Sequence, residues 1–394
     1  MGSGALSERK ISNEWKPKIR DDIFFNDLFA TGNDGYCVVG CKGNDSQLMI
    51  KMNKLDAFKE LLRQLDGTYT IEELIDKTRQ DEKNLVQILQ MCYDKGFFEE
   101  QEEIERFNEV ERLSFGVLRH DFKGFSEKTQ NRCDKLVACF RIIFLITLLV
   151  SVYAVAKNID VVSNLTIRTA ISISGNGWIS VVLGYIVIQG LSFLMGMIHE
   201  VAHVVVSLKN GGRPHYIAFV LYMGFMPMAY LKQKNIYALK KKSILEILLA
   251  GVIMNLFLFM FFGSLYLWTE NNWAKMLAVT NIRLAFINLV PFSLTDGYFI
   301  FSILSKRPNL RMNFFRLLAY PSEVRYCDKK VLCCYLLYAL TILLCFNSEI
   351  IILLNVLMKQ FHGIKYLILF PVNIIYIIVL HRVNLKKVKK IKMG

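Results

Sequence analysis

The residues best suited to chemistry are His199, Glu200 and His203, which form an HExxH sequence inside an almost uncharged apolar run that begins near Trp178. On a helix, residues four apart share a face, so both imidazoles can bind one metal ion. Glu200 can then take a proton from a water molecule on that metal. The alternative is a helix whose His and Glu side chains bond only to neighbouring helices. Because ionisable groups at this depth are costly and usually functional, the pattern favours a metal-dependent hydrolase site within a membrane.

A catalytic zinc site needs a third protein ligand, because such sites typically use three protein groups and leave the fourth position to water. Apart from the HExxH glutamate, the only acids deep within apolar sequence in the C-terminal two-thirds of the chain are Asp296 and Glu349. Asp296 follows Pro291, which should break a helix, and precedes Gly297, which permits close approach of the backbone. A broken helix at membrane depth indicates a lined cavity beside Asp296.

Three segments together resemble the site-2 protease family of intramembrane zinc metalloproteases. Besides HExxH, residues 288–297 have the form N-x-x-P-x(4)-D-G, and residues 250–255 are similar to the family's A-G-P-x-x-N segment. The resemblance covers residues 178–305. Val252 stands where the family usually has Pro, and Thr295 stands where it usually has Leu. Neither departure falls on a residue that the resemblance makes a ligand.

The resemblance implies a fold and a set of roles for the matching residues. The fold would include a membrane-embedded β element, and the cofactor would be Zn²⁺. For Asn255 two roles stay open, contact with substrate or a bond to an adjacent helix. The implied roles are zinc ligation by His199, His203 and Asp296, general-base catalysis by Glu200, and substrate contact by Asn288 and Asn255.

Six apolar runs are long enough to cross a membrane. Lys and Arg cluster before the first run, after the second, after the fourth and after the sixth, while the other loops carry few. The positive-inside rule then predicts that both termini are cytoplasmic. The expected fold class is a mainly α, multi-pass membrane protein with a small N-terminal α+β domain. The expected location is the cell membrane, as in a bacterial plasma membrane. The runs are 136–157, 178–208, 243–268, 276–304, 331–357 and 365–381.

The segment 214–231 is apolar but is better explained as a non-spanning element. If it crossed the membrane, Asp296 would approach from the opposite face to His203, and the proposed ligands could not meet. The stretch from Tyr216 to Tyr222 favours a short strand with turns. Such a strand at a sheet edge could hold an extended peptide substrate, because strand addition supplies main-chain hydrogen bonds. A re-entrant packing loop without a substrate role is the alternative.

The charges divide the chain into two parts. Residues 1–135 carry 26 Asp and Glu against 21 Lys and Arg, a net of −5, and the remainder carries +19. The excess of basic residues lies in short loops and in the tail, where anionic lipid attracts it, so it is poor evidence for nucleic-acid binding. The nine cysteines are odd in number and scattered, so disulfides are not expected.

The N-terminal part predicts a small α+β domain between Ile23 and Phe98. Two short strands around Cys37 and Leu48 precede three helices, and Thr70 with Glu73 forms a capping box at the second. The pattern resembles the winged-helix, PqqD-like leader-recognition domains of peptide-maturation systems. The resemblance implies that a precursor's leader peptide adds a strand to the sheet edge. A folded cap or a partner-docking module would have the same pattern.

The sequence therefore predicts a membrane-embedded zinc metalloprotease that hydrolyses a peptide bond in a peptide precursor or in a small membrane-associated peptide. The alternative is a non-catalytic peptide-binding accessory of an export or immunity system, with a structural or vestigial zinc site. A structural site would be closed by a fourth ligand such as His215. A metal permease ranks last, because the few acids supply no path across the membrane. The predicted divisions are an arm (1–22), the winged-helix-like domain (23–98), a charged connector (99–135), the transmembrane domain (136–381, core 178–305) and a basic tail (382–394).

Overall fold

The computed structural model describes residues 14–340, except for short gaps, together with Pro371. The described chain is mostly helical, with small sheets. It divides into two compact units, one formed by residues 1–112 with 233–241 and the other by 113–232 with 242–394. The gaps are residue 33, 44–45, 79–80, 102–113, 123, 164–177, 223–225, 292–294 and 328.

The first unit contains an antiparallel sheet followed by three helices. The sheet has the order β1-β2-β3, and Val38 of the central strand pairs with Asn26 on one side and Met49 on the other. The first strand was not predicted, because the polar pair Asn26 and Asp27 interrupts its apolar residues. The elements are β1 (Ile23–Thr31), β2 (Asp34–Cys41), β3 (Gln47–Lys51), α1 (Leu55–Gln64), α2 (Ile71–Thr78) and α3 (Glu82–Tyr93).

Local signals explain where these helices begin and end. The main-chain N–H of Thr70 donates to the Glu73 carboxylate at 2.8 Å, and the Glu73 N–H donates to the Thr70 hydroxyl at 3.3 Å, which is the predicted capping box. Gly67 and Gly96 follow α1 and α3 with φ of +85° and +70°, a conformation that favours glycine after a helix. The apolar faces of the helices pack with β2 and β3 around fully buried Ile71 and Leu85.

Residues 233–241 belong to this first unit although they lie far along the chain. The Asn26 side chain donates to the carbonyl oxygens of Tyr237 and Leu239 at 2.7 and 2.8 Å. The Asn235 side chain donates to the carbonyl of Cys41. The segment therefore bonds to polar groups of the edge strand β1 and of the end of β2.

The second unit is built on long apolar helices. Three of them, Glu127–Lys157, Val182–Lys209 and Lys241–Thr269, are long and apolar enough to cross a membrane, which indicates a membrane protein. They correspond to the first three predicted runs. The helices of this unit are α4 (Glu127–Lys157), α5 (Ile159–Ser163), α6 (Trp178–Lys209), α7 (Lys241–Thr269), α8 (Asn272–Leu289), α9 (Asp296–Leu304) and α10 (Leu310–Ala319).

The fourth predicted run, 276–304, is divided between two helices. The helix α8 ends at Leu289, and α9 begins only at Asp296, so the chain breaks around Pro291 as the sequence predicts. Residues 329–340 are helical and coincide with the start of the fifth run. The rest of the fifth run and the sixth run lie outside the described residues, apart from Pro371, as do Glu349 and the basic tail.

A second antiparallel sheet has the order β4-β5-β6, with β4 at Ser114–Asp121, β5 at Arg213–Tyr222 and β6 at Met226–Lys234. The strand β5 contains the stretch from Tyr216 to Tyr222, in which a short strand was expected, whereas β6 was not predicted. The strand β4 was not predicted, since it lies in the range assigned to a charged connector. It pairs with β5 from Ser114 opposite Tyr222 to Asp121 opposite Tyr216, and therefore leaves β6 as the other edge of the sheet.

The thiols of the first unit give a test of its packing. Cys41 and Cys92 are fully buried, and loss of water around each thiol raises its pKa to about 12. At pH 8 only about one thiol in ten thousand is then ionised, and the thiolate is the form that alkylates. We expect both residues to resist iodoacetamide in folded protein and to react fully in 8 M urea, as measured by peptide mass spectrometry. Rapid alkylation without urea would contradict this packing.

Candidate metal centre

Three side chains from two separate helices converge on one point. His199 and His203 lie one turn apart on α6, and Asp296 is the first residue of α9. The His199 Nε2 atom lies 3.0 Å from the His203 Nε2 atom. The Asp296 Oδ2 atom lies 3.1 Å from the first of these nitrogens and 3.2 Å from the second. The predicted pair of imidazoles and the predicted carboxylate are therefore brought together, at positions from which all three could bind one metal ion.

The size of this triangle fits a metal ion. A tetrahedral zinc with bonds of about 2.0–2.1 Å separates neighbouring ligand atoms by about 3.3 Å. The three observed separations, 3.0, 3.1 and 3.2 Å, are shorter than that by only a few tenths of an ångström. Two imidazole nitrogens and one carboxylate oxygen are also a donor set that zinc accepts in catalytic sites. The group could therefore hold a metal ion.

The helix α7 supports both imidazoles from behind. The Nδ1 atom of His203 donates to the carbonyl oxygen of Ile247 at 2.7 Å, which leaves Nε2 free to ligate. One turn further along, a side chain at Gly251 would overlap the imidazole of His199. A further turn along, the Asn255 amide lies 3.0 Å from the His199 Nδ1 atom. Residues 247, 251 and 255 thus form one stripe of α7 that shapes the site.

The position of Asn255 distinguishes between its two predicted roles, contact with substrate and a bond to an adjacent helix. It is fully buried, and its side chain contacts His199, a candidate metal ligand on the neighbouring helix. If Nε2 of the imidazole ligates the metal, Nδ1 carries the proton and needs an acceptor. Among the described residues the Asn255 amide oxygen has no hydrogen-bond partner, and an exchange of the amide oxygen and nitrogen would supply that acceptor. The contact favours Asn255 as a support of the ligand.

The break between α8 and α9 places Asp296, the candidate third ligand. The Thr295 hydroxyl donates to the carbonyl of Val290 at 2.8 Å and accepts from the N–H of Tyr298 at 3.4 Å, so it caps α9. At Gly297 the chain passes so close to the Leu289 carbonyl that a side chain would overlap it. Thr295 thus satisfies main-chain groups that the break exposes.

Glu200 lies beside the metal group and contacts the second sheet. Its Oε2 atom accepts a hydrogen bond from the main-chain N–H of Leu231 at 3.0 Å. Leu231 belongs to β6, an edge strand, and a main-chain N–H that bonds to Glu200 points away from β5. One carboxylate oxygen is therefore fixed by the strand.

The remaining candidates lie as follows. Asn288 is partly buried in the last turn of α8, just before the break. His215 lies in β5, and among the described residues the group of possible metal ligands does not include it. The supporting groups that sequence reasoning missed are the Ile247 carbonyl and the Leu231 N–H, since main-chain groups leave no residue-type signal. Gly251 had a usable signal in its spacing to Asn255.

Replacement of Gly251 by Ala tests the contact between α7 and the first imidazole. The added methyl group must displace the His199 ring, so we expect metal affinity to fall by about tenfold or more. The measurement is zinc per chain after dialysis against graded chelator. Gly263→Ala is the matched control, because a side chain at Gly263 in the same helix meets nothing within 4 Å. Equal zinc retention in both variants would refute the contact.

Replacement of Asp296 by Ala tests the convergence of the two helices. We expect about one zinc per chain in wild-type protein purified in detergent, and loss of most of it in the variant, because two imidazoles alone leave the site one ligand short. Asp160→Ala changes an acid in α5, outside the group, and should keep the metal. Zinc that survives the Asp296 substitution in folded protein would assign the third ligand to another residue.

Comparison with known proteins finds no relative of this chain. No protein-family model matches it, and neither a curated protein nor a solved structure matches it. Any statement about its activity therefore depends on the geometry of the site and on the sequence patterns that point to it.

Proposed function

We propose that this protein is an intramembrane zinc metalloprotease that hydrolyses a peptide bond in a peptide precursor or in a small membrane-associated peptide. The observation that carries the proposal is the arrangement of Glu200. Its carboxylate adjoins a group of two imidazoles and a carboxylate and is fixed by the edge strand of a sheet. An acid beside a metal site can hydrolyse a peptide bond, and a strand at the edge of a sheet can hold an extended peptide.

The donor set supports zinc as the metal. His199, His203 and Asp296 would hold it, and among the described residues no fourth His, Cys, Asp or Glu joins them. A catalytic site keeps such a position open, whereas a structural zinc site fills it with protein. The geometry therefore favours catalysis over the non-catalytic accessory, for which His215 was the expected fourth ligand.

The chemistry divides between the metal and Glu200. When bound, zinc makes water more acidic and polarises the scissile carbonyl. Glu200 takes a proton from the attacking water and later gives it to the leaving amine, which is general acid–base catalysis by one carboxylate. The Leu231 N–H orients that carboxylate through its Oε2 atom. The Ile247 carbonyl keeps the proton of His203 on Nδ1 and so keeps Nε2 available as a ligand.

Among the described strands β6 pairs only with β5, and its outer edge is the proposed place of the substrate. Along a strand, alternate residues direct their main-chain groups to the same side. The main-chain N–H of Leu231 points to Glu200. The N–H and carbonyl of Ala229, two residues earlier in β6, therefore face the same side. A peptide that adds to this edge would be extended beside the acid, and the main-chain bonds would not demand a particular sequence.

The resemblances extend the proposal beyond the site. The site-2 protease resemblance of residues 178–305 agrees with the ligand set proposed here. The PqqD-like resemblance of the first unit supports recognition of a precursor's leader peptide. The three long apolar helices support a location in a membrane, and the pattern of Lys and Arg supports six crossings with both termini in the cytoplasm.

Replacement of Glu200 by Gln separates metal binding from catalysis. We expect the variant to keep its zinc, since the three ligands are untouched, and to lose cleavage by about 10²-fold or more, since an amide cannot take the proton. The protein is co-expressed with a candidate precursor, and peptides from the membrane and the medium are compared by mass spectrometry.

The matched control is Glu270→Gln, which changes an exposed acid just beyond the end of α7. Products that appear with wild type and with this control, but not with the Glu200 variant, support the protease. Cleavage at the wild-type rate by the Glu200 variant would end the general-base assignment. Zinc bound in wild type with no product from any tested precursor would move the accessory function ahead.

A further inference from the structure

A second polar cluster lies at one end of α7, outside the metal group. The Glu246 Oε1 atom accepts from the Lys209 Nζ atom at 2.6 Å and from an Arg141 guanidinium nitrogen at 2.7 Å. The Glu246 Oε2 atom accepts from the Asn210 amide at 3.2 Å. Both carboxylate oxygens are therefore used, and one side chain of α7 is tied to α4 and to the end of α6.

The side chains of this cluster differ in how far they are exposed. Glu246 is the only acid in α7, and its side chain is 28% exposed. The Lys209 side chain is 17% exposed, whereas that of Arg141 is 64% exposed. An ion pair shielded from water is stronger than an exposed one. The ion pair between Glu246 and Lys209 should therefore contribute most of the stabilisation that this cluster gives to the helix contact.

The cluster sets the position of one helix along the other. Apolar helix faces in lipid give little preference for one axial position, whereas polar contacts between helices do. The contacts run in antiparallel order, with Lys209 beside Glu246, His203 beside Ile247 and His199 beside Gly251. A slide of α7 past α6 would carry the Ile247 carbonyl away from His203.

We propose that Glu246 is a positioning residue for the metal centre. By holding α7 to the end of α6, it keeps the Ile247 carbonyl on His203 and the stripe of residues 251 and 255 on His199. It touches neither the ligand atoms nor the Glu200 carboxylate in the contacts described above. The proposal rests on the proposed function only in that the His199, His203 and Asp296 group binds a metal.

The experiment measures metal affinity in full-length protein in detergent, with Zn²⁺ titrated against a chromogenic chelator. Glu246→Gln and Lys209→Met should each weaken zinc binding by about tenfold, the effect typical of a lost support behind a ligand. Arg141→Met should weaken it less. Glu270→Gln, which removes an acid beyond the opposite end of the same helix, should leave the affinity unchanged.

Two further readouts separate positioning from a general loss of stability. In a double-mutant cycle, the Glu246→Gln and Lys209→Met double variant should bind zinc as weakly as each single variant, because both changes remove one contact. In Co²⁺-substituted protein, the visible absorption bands should change in position or intensity when the support of His203 changes. A merely structural tie would lower thermal stability and leave the bands of folded protein as in wild type.

The outcomes distinguish this inference from the proposed function. Wild type that binds zinc tightly, with equal affinity and equal cobalt spectra in the Glu246 and Lys209 variants, overturns the positioning role alone. Folded wild type that binds neither metal overturns the proposed function. Glu246→Asp keeps the charge on a shorter side chain, and it should recover part of the affinity if the ion pair sets the helix position.

Discussion

Two imidazoles on an apolar helix need polar partners, and the contact between α6 and α7 supplies them. The Ile247 carbonyl takes the proton of His203, and Gly251 gives the His199 ring room against the next helix. A bulkier residue at 251, or a shift of one helix along the other, would turn the ligand nitrogens away from Asp296. The rest of the centre, including the break before α9 and the edge of β6, is useful only while this contact holds.

The parts that the sequence predicted are those with local signals. The two histidines of HExxH are four residues apart, about one helical turn, and both lie on one face of α6. Pro291 predicted the end of α8, and Thr70 with Glu73 predicted the start of α2. Each of these depends on residues within one or two turns of each other, where steric and hydrogen-bonding rules act directly.

The parts that the sequence did not predict depend on distant pairing or on main-chain atoms. The strand β4 lies in mixed-charge sequence and is stabilised by pairing with β5, about a hundred residues later. The strand β1 carries Asn26 in its interior, and that side chain bonds to residues 237 and 239. The N–H of Leu231 fixes Glu200 from β6, and any residue other than proline would offer the same donor.

The cap at the start of α9 affects which kind of side chain can bind a metal ion there. An aspartate at a helix start often caps the helix with its own carboxylate, but Thr295 does so here. The Asp296 oxygens are thereby left as possible metal ligands. The N-terminus of a helix is electropositive, which favours an anion there. A cation bound against that helix end is therefore held better by a carboxylate than by a third imidazole.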